Sequence, residues 1–246
     1  MKKKVLIYLV IAAVMINGVY RWSEKTTRES YQIQAGDKYK NFKELQENEK
    51  SGYDIDYHEK AGSDCLIFSP HGGRIEGGVS ELVRAFNDDY STYLFEGKKD
   101  ENNSDLHITS TNFDEPLALQ KIKEHRYTIA FHGYSGDRPH TLVGGTDRKL
   151  AKAIVKSLKK SDFSAELVKV DGKFAGTAEE NINNESQTGM SVQLEISTAQ
   201  RKEFFEDFSY KEREETKTRT FRKYVKAVRK VLQDRCLKWK LMLFCV

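Results

Sequence analysis

His71 closes an apolar stretch, is followed by Gly72 and Gly73, and has Glu76 five positions on; His132 closes a second apolar stretch and is followed by Gly133. Residues five apart diverge on a helix and lie on opposite faces of a strand, so His71 and Glu76 can meet only across a loop, which the intervening glycines permit. One imidazole and one carboxylate are two-thirds of the His2Glu set of catalytic zinc sites, and His132 supplies the third ligand, leaving the fourth position for water. One Zn2+ is the expected cofactor, although this ligand set also accommodates other divalent ions.

Such a centre works as a hydrolase only with a group that takes a proton from the activated water and hands one to the leaving nitrogen. In Val192-Gln193-Leu194-Glu195-Ile196-Ser197 the apolar residues share one strand face while Gln193, Glu195 and Ser197 share the other. Glu195 is therefore the candidate catalytic carboxylate, with an ordinary exposed strand carboxylate as the plain alternative. Arg74 is a candidate for a donor to the oxyanion or to a substrate carboxylate. His58, His125 and His140 are expected to play no ligand role, nor is His107, although its segment Leu106-His107-Ile108-Thr109-Ser110-Thr111 could approach the site. The three cysteines, Cys65, Cys236 and Cys245, have neither disulfide-framework nor metal-site spacing.

The elements that must position these residues alternate along the chain. Apolar periodicity predicts a short helix over 39–45, an edge strand over 53–57, a buried strand over 65–69, a helix over 78–87 and strands over 92–96 and 106–111. A helix over 115–124, a strand over 127–131, a short strand over 141–143, a helix over 147–158, strands over 165–170 and 191–196, and closing helices follow. Strands separated by helical stretches indicate one α/β domain, a mixed and mostly parallel sheet flanked by helices. Open sheets of this kind carry their sites at the carboxyl ends of strands, where His71 and His132 converge if their strands are neighbours.

The 246 residues suit one core, placed at 39–246, with 38% apolar and 32% charged residues as in a soluble globular protein. Lys2, Lys3 and Lys4 before the apolar run 5–16 read as an export signal or, lacking a clean small-x-small cleavage site, an N-terminal anchor over 1–22; residues 23–38 read as a polar lead-in. A secreted or membrane-anchored protein is expected, touching a membrane only there. The net charge of +4 is the small difference of 41 basic and 37 acidic residues. Basic residues cluster from Lys217 to Lys230, but Phe221, Tyr224, Val225, Val228 and Leu232 recur at helical spacing among them, so this is an amphipathic helix and no nucleic-acid partner is expected. A monomer is expected.

Together the motifs resemble the phage and bacillar poly-gamma-glutamate hydrolase family, a branch of the zinc carboxypeptidase-like fold. The resemblance is carried by His71-Gly72-Gly73-Arg74-Ile75-Glu76 with Ser80-Glu81, Tyr93-Leu94-Phe95-Glu96-Gly97, Asp105 to Pro116, His132-Gly133-Tyr134-Ser135-Gly136, Val143-Gly144-Gly145 and Val192 to Ser197. It implies that His71, Glu76 and His132 hold zinc, that Glu195 is the catalytic glutamate, and that the substrate is polyanionic poly-γ-glutamate. Arg74, His107, Tyr134 and Asn181 are the candidate substrate contacts. One departure concerns recognition: where the family carries a basic residue at the end of an Asn-Ile-Cys-Asn-Arg segment, this chain has Glu185 in Asn181-Ile182-Asn183-Asn184-Glu185. A zinc hydrolase of another amide, or a non-catalytic polyanion binder using the basic C-terminal helix, are the alternatives.

Overall fold

A single seven-stranded sheet, its four central strands mutually parallel, forms the middle layer of the fold. The computed structural model describes residues 36–243, and side chains to 234. The expected export segment and most of the lead-in lie outside these residues. In chain order the elements are α1 (Phe42–Asn48), β1 (Tyr53–His58), β2 (Cys65–Gly73), α2 (Val79–Arg84), β3 (Ser91–Gly97), a 3-10 turn (Asn103–Leu106), α3 (Pro116–Glu124), β4 (Tyr127–Tyr134), β5 (Thr141–Gly144), α4 (Arg148–Lys160), β6 (Ala165–Leu167), a second 3-10 turn (Ile182–Asn184), β7 (Met190–Ser197), α5 (Thr198–Glu203) and α6 (Arg219–Leu243). The strands run in the order β1-β3-β2-β4-β7-β5-β6, with β3, β2, β4 and β7 mutually parallel and β1 and β5 antiparallel to their neighbours β3 and β7.

Burial on both faces explains the composition of the central strands. β2 is buried at every position and β7 at all but its first residue, as expected where helices cover both sides of parallel strands. On one face, Ile67, Ile129, Phe131, Val192, Leu194 and Ile196 pack with residues of α2, α4 and α6; on the other, Leu66, Phe68, Tyr93, Phe95 and Ala130 pack with residues of α1 and α3. α3 starts where Pro116 occupies the first turn and the Glu115 carboxylate accepts from the Leu117 and Ala118 amides. α6 buries Phe221, Tyr224, Val225, Val228 and Leu232, while Lys223 pairs with Asp162 and Arg229 with Asp89, so the basic cluster is the outer face of a core helix.

Three elements differ from the sequence reading. Residues 107–111 form no strand; after the 3-10 turn they lie as a loop across the sheet's carboxyl end, with Leu106 and Ile108 buried and the Thr109 amide bound to Asp37 Oδ2 at 2.7 Å. The apolar alternation was therefore a packing signal, not a pairing one. β6 ends at Leu167, and the helix expected over 78–87 is regular only over Val79–Arg84. The compact unit begins at Asp37, two residues before the expected boundary, because Asp37 is tied into that loop.

Phe131 is fully buried, stacked on Phe86 with centroids 5.8 Å apart. Phe131→Ala is expected to cost about 3–5 kcal/mol in denaturant unfolding; a loss below about 1 kcal/mol would show that this face is not close-packed.

Candidate metal centre

His71 and His132 reach one another because of an irregularity in β2. Ser69 pairs with Leu94 but Gly72 with Glu96, so three steps along β2 answer two along β3. The extra residue is a β-bulge, which reverses the alternation of side chains. His71 would otherwise share a face with Ile67 and Ser69; beyond the bulge it joins the face of Leu66 and Phe68, where Ala130 and His132 also stand. Its Nδ1 lies 3.1 Å from His132 Nδ1.

The loop after β2 returns Glu76 to the same point. The Glu76 amide donates to the His71 carbonyl at 3.0 Å and the Ile75 amide to that of Gly72 at 3.2 Å. Gly73 has φ +68°, and a Cβ there would stand 2.3 Å from the Gly97 carbonyl oxygen; only glycine makes this turn against β3. Glu76 Oε1 then lies 3.1 Å from His71 Nδ1, and Oε2 accepts from the Gly133 amide at 2.7 Å while lying 3.8 Å from His132 Nδ1.

These three donors fit a tetrahedral dication. His71, Glu76 and His132 each offer one ligand atom, all within 4.8 Å of one another, and His71 Nδ1 lies 3.1 Å from both Glu76 Oε1 and His132 Nδ1, against the about 3.3 Å that separates ligand atoms about 2.0 Å from a tetrahedral zinc. His71 Nε2–H donates to the Ile108 carbonyl at 2.8 Å, which sets the tautomer and leaves Nδ1 as the lone-pair donor, the usual supporting bond of a metal-binding imidazole. Two bare imidazole nitrogens at contact distance repel, so they require a proton or a cation between them.

The electrostatics agree. Burial would raise the Glu76 carboxyl, but His71, His132 and His107 outweigh it and hold its pKa down to about 2. Burial, with the charge of His71 adding to it, pushes His132 down to about 3 against the pull of Glu76, so this imidazole is neutral. Burial opposes charge on His71 too, but Glu76 prevails and its pKa is raised.

Glu195 comes to the centre through strand register. β4 and β7 pair His132 with Glu195 and Ala130 with Gln193, so the carboxylate stands beside His132 on one face. Gln193 Nε2 donates to Glu195 Oε1 at 2.7 Å, and Asn181 Nδ2 donates to Gln193 Oε1 at 3.3 Å. Burial, then the negative charge of Glu76, raises the Glu195 carboxyl well above the usual range.

The centre opens into a cleft of about 710 Å³ lined by His71, Glu76, His107, His132, Tyr134, Asn181 and Glu195, with residues 109–111 on one side and 170–178 on the other. His107 stacks on His71 with centroids 4.0 Å apart, and its Nδ1 meets Asp37 Oδ1 at 2.6 Å. Asn181 lines the cleft but spends its amide on Gln193. Arg74 is a correction: it turns to the Asp100 carbonyl, 3.1 Å from Nη1, and to the Tyr210 ring, and does not line the cleft. Glu185 is likewise outside it, 3.4 Å from Lys123.

Sequence reasoning missed the supports: Asp37, Gln193, Arg201 and Arg213. Buried Arg201 lies against Gly133 and donates to the carbonyls of Ile196 and Gly77 at 3.1 and 2.5 Å. Arg213 ties Glu81 (2.9 Å) to the Gly73 carbonyl (2.7 Å). Of these, only Gln193, two residues from Glu195 on one strand face, carried a usable signal.

A parallel-centred α/β sheet with a His-Glu-His cluster and a flanking carboxylate at its strand ends is the architecture of a hydrolase. The chain belongs to the poly-gamma-glutamate hydrolase family, whose model matches residues 39–227. It is 62% identical over 198 residues to the UPF0714 protein YmaC of Bacillus subtilis (strain 168), covering 80% of this chain and 84% of that one. Its fold matches the solved structure titled YNDL-apo (Zinc-free), with a TM-score of 0.79 and 44% identity over 81% of this chain and 98% of that one. It also matches a bacteriophage poly-gamma-glutamate hydrolase, with a TM-score of 0.77 and 37% identity over 81% and 98%.

The unfolded chain takes a proton on His132 near its ordinary pKa of 6.5, whereas the folded one resists until about 3. Stability therefore falls as pH drops from 6.5 toward 3, by at most about 1.4 kcal/mol per pH unit. His71, with its raised pKa, has the opposite sign, its contribution being present below 6.5 and lost as pH rises through the folded value. Denaturant titrations of metal-free protein between pH 6.5 and 4 should show a steeper loss in the wild type than in His132→Gln; parallel curves would contradict a neutral buried His132.

Proposed function

We propose that the chain hydrolyses the γ-glutamyl amide bonds of poly-γ-glutamate, with one zinc ion on His71, Glu76 and His132 and with Glu195 as the proton-transfer group. The observation that carries this is the pairing of His132 with Glu195 in adjacent strands, which sets the carboxylate beside the ligand triangle in the cleft. The titles of the solved relatives, one naming a zinc-free form and one a poly-gamma-glutamate hydrolase, support the metal and the substrate.

His71, Glu76 and His132 would hold the zinc, which would supply Lewis acidity toward the scissile carbonyl and toward a water beside it. Glu195 has Oε1 fixed by Gln193, so Oε2 is the oxygen that takes the water's proton as the water oxygen attacks the carbonyl carbon. As the carbon–nitrogen bond breaks, Glu195 returns that proton to the departing α-amine, leaving a new γ-carboxylate on the other fragment. Burial and the charge of Glu76 raise this carboxyl above the usual glutamate range, which favours its holding a proton between the two transfers. Residues 107–111 keep the ligands in place through the Ile108 carbonyl. Export is part of the proposal: Lys2 to Lys4 and the apolar run after them would send the enzyme to a polymer that lies outside the cell.

Incubating the protein with poly-γ-glutamate and following chain length tests this directly. Chelation should abolish cleavage and added zinc restore it, and Glu195→Gln should lose about 10²- to 10⁴-fold in kcat. An unimpaired Glu195→Gln enzyme would refute the mechanism, and no cleavage by protein carrying one equivalent of zinc would refute the substrate.

A further inference from the structure

We infer that Lys173 binds the free α-carboxylate of a substrate residue flanking the scissile bond, which makes the loop 168–178 the wall of the cleft that determines specificity; this rests on the poly-γ-glutamate reading above. A γ-linked chain leaves every α-carboxylate ionised. The cleft already contains the carboxylates of Glu76, Asp171 and Glu195, so an anionic residue docking there needs a cation to offset the repulsion. Among the described residues that line it, Lys173 is the one lysine or arginine. The arginine favoured by the sequence, Arg74, is spent on Asp100 and Tyr210.

Lys173 is both available and placed. It is exposed and forms no close ion pair among the described residues, although its charge reaches Glu195 in the cleft; its Nζ lies over the Phe174 ring, 5.0 Å from the centroid. Phe174 has φ +69°, a left-handed backbone that is strained for a non-glycine residue, and its ring meets that of Tyr134 at 5.6 Å. The strain is held by the loop's ties to its surroundings. The Gly145 amide donates to the Ala175 carbonyl at 2.7 Å, the Val168 amide to that of Val143 at 2.9 Å, and Asn184 Nδ2 to those of Gly176 and Ala178 at 3.1 and 2.6 Å. A Cβ on Gly144 would stand 2.3 Å from the Ala175 oxygen. Val143-Gly144-Gly145 takes no part in the chemistry, and its small residues are what let the loop lie against the sheet with Lys173 at the cleft. Asp171 on the same loop keeps the wall from being broadly positive, so recognition is of one carboxylate at one point.

The test uses zinc-loaded full-length protein carrying Glu195→Gln, so that binding is read without turnover, and a fluorescent poly-γ-glutamate oligomer beside the same oligomer with amidated α-carboxylates. Lys173→Gln should weaken binding of the acidic oligomer by about fivefold, the upper end for an exposed ion pair. Lys173→Glu should weaken it further and Lys173→Arg restore most of it. Lys152→Glu, on the exposed side of α4 and outside the cleft, should stay within twofold of the parent. The amidated oligomer should bind more weakly to the parent and respond to none of the Lys173 changes. Unchanged affinity in Lys173→Gln, or an equal loss for both oligomers, overturns the assignment while leaving the substrate reading intact. Failure of the parent to bind the acidic oligomer at all overturns the substrate reading and the Lys173 assignment together.

Discussion

A carboxylate withdrawn from water costs several kcal/mol unless it is paired and hydrogen-bonded, and Glu76 is such a carboxylate. Its two oxygens face the Nδ1 atoms of His71 and His132 and the Gly133 amide, and the surrounding structure can be read as the means of supplying those partners. The bulge in β2 brings His71 to the correct face, the turn through Gly73 brings Glu76 back to it, and β4 delivers His132 and the Gly133 amide together. The centre is anionic at one corner and neutral imidazole at another, which suits a dication.

The supports act at a distance from the His71, Glu76 and His132 cluster. Ile108 sets the His71 tautomer from a loop that is itself held by Asp37, so the first residue of the compact unit helps orient an imidazole 34 positions later. Gln193 and Asn181 form a relay that holds Glu195 by one of its two oxygens. Arg201 and Arg213 bind carbonyls beneath the site, so the segment after β7 holds the strand ends together. Each of these buried polar groups is expensive to leave unpaired.

Much of this was legible in the chain. The strands around 65–69, 127–131 and 191–196 announced themselves because a central parallel strand buried on both faces must be almost wholly apolar, and histidine and glutamate at their ends stood out against that background. The alternation at 106–111 misled because Leu106 and Ile108 are buried as a strand's residues would be, yet the backbone bonds of that segment go to the side chains of Asp37 and His71, to Ile182 and to nearby residues of the same loop rather than to a neighbouring strand. Arg74 was the obvious cation beside a ligand, and the fold turned it to Asp100. Glu185, which departs from the family's pattern, pairs with Lys123 away from the cleft, so the departure does not reach the centre.

The sequence by itself determined the α/β class, the four residues of the centre and the chemistry they are suited to, because burial patterns and residue types act locally along the chain. Tertiary structure decided which faces those residues share, that Asp37, Gln193 and Arg201 support them, and that Lys173 rather than Arg74 stands at the cleft. The reason is physical: the alternation of a strand is readable, but a one-residue bulge, a neighbouring strand's register and a contact between residues 70 positions apart, as between Asp37 and His107, depend on closure of the whole sheet.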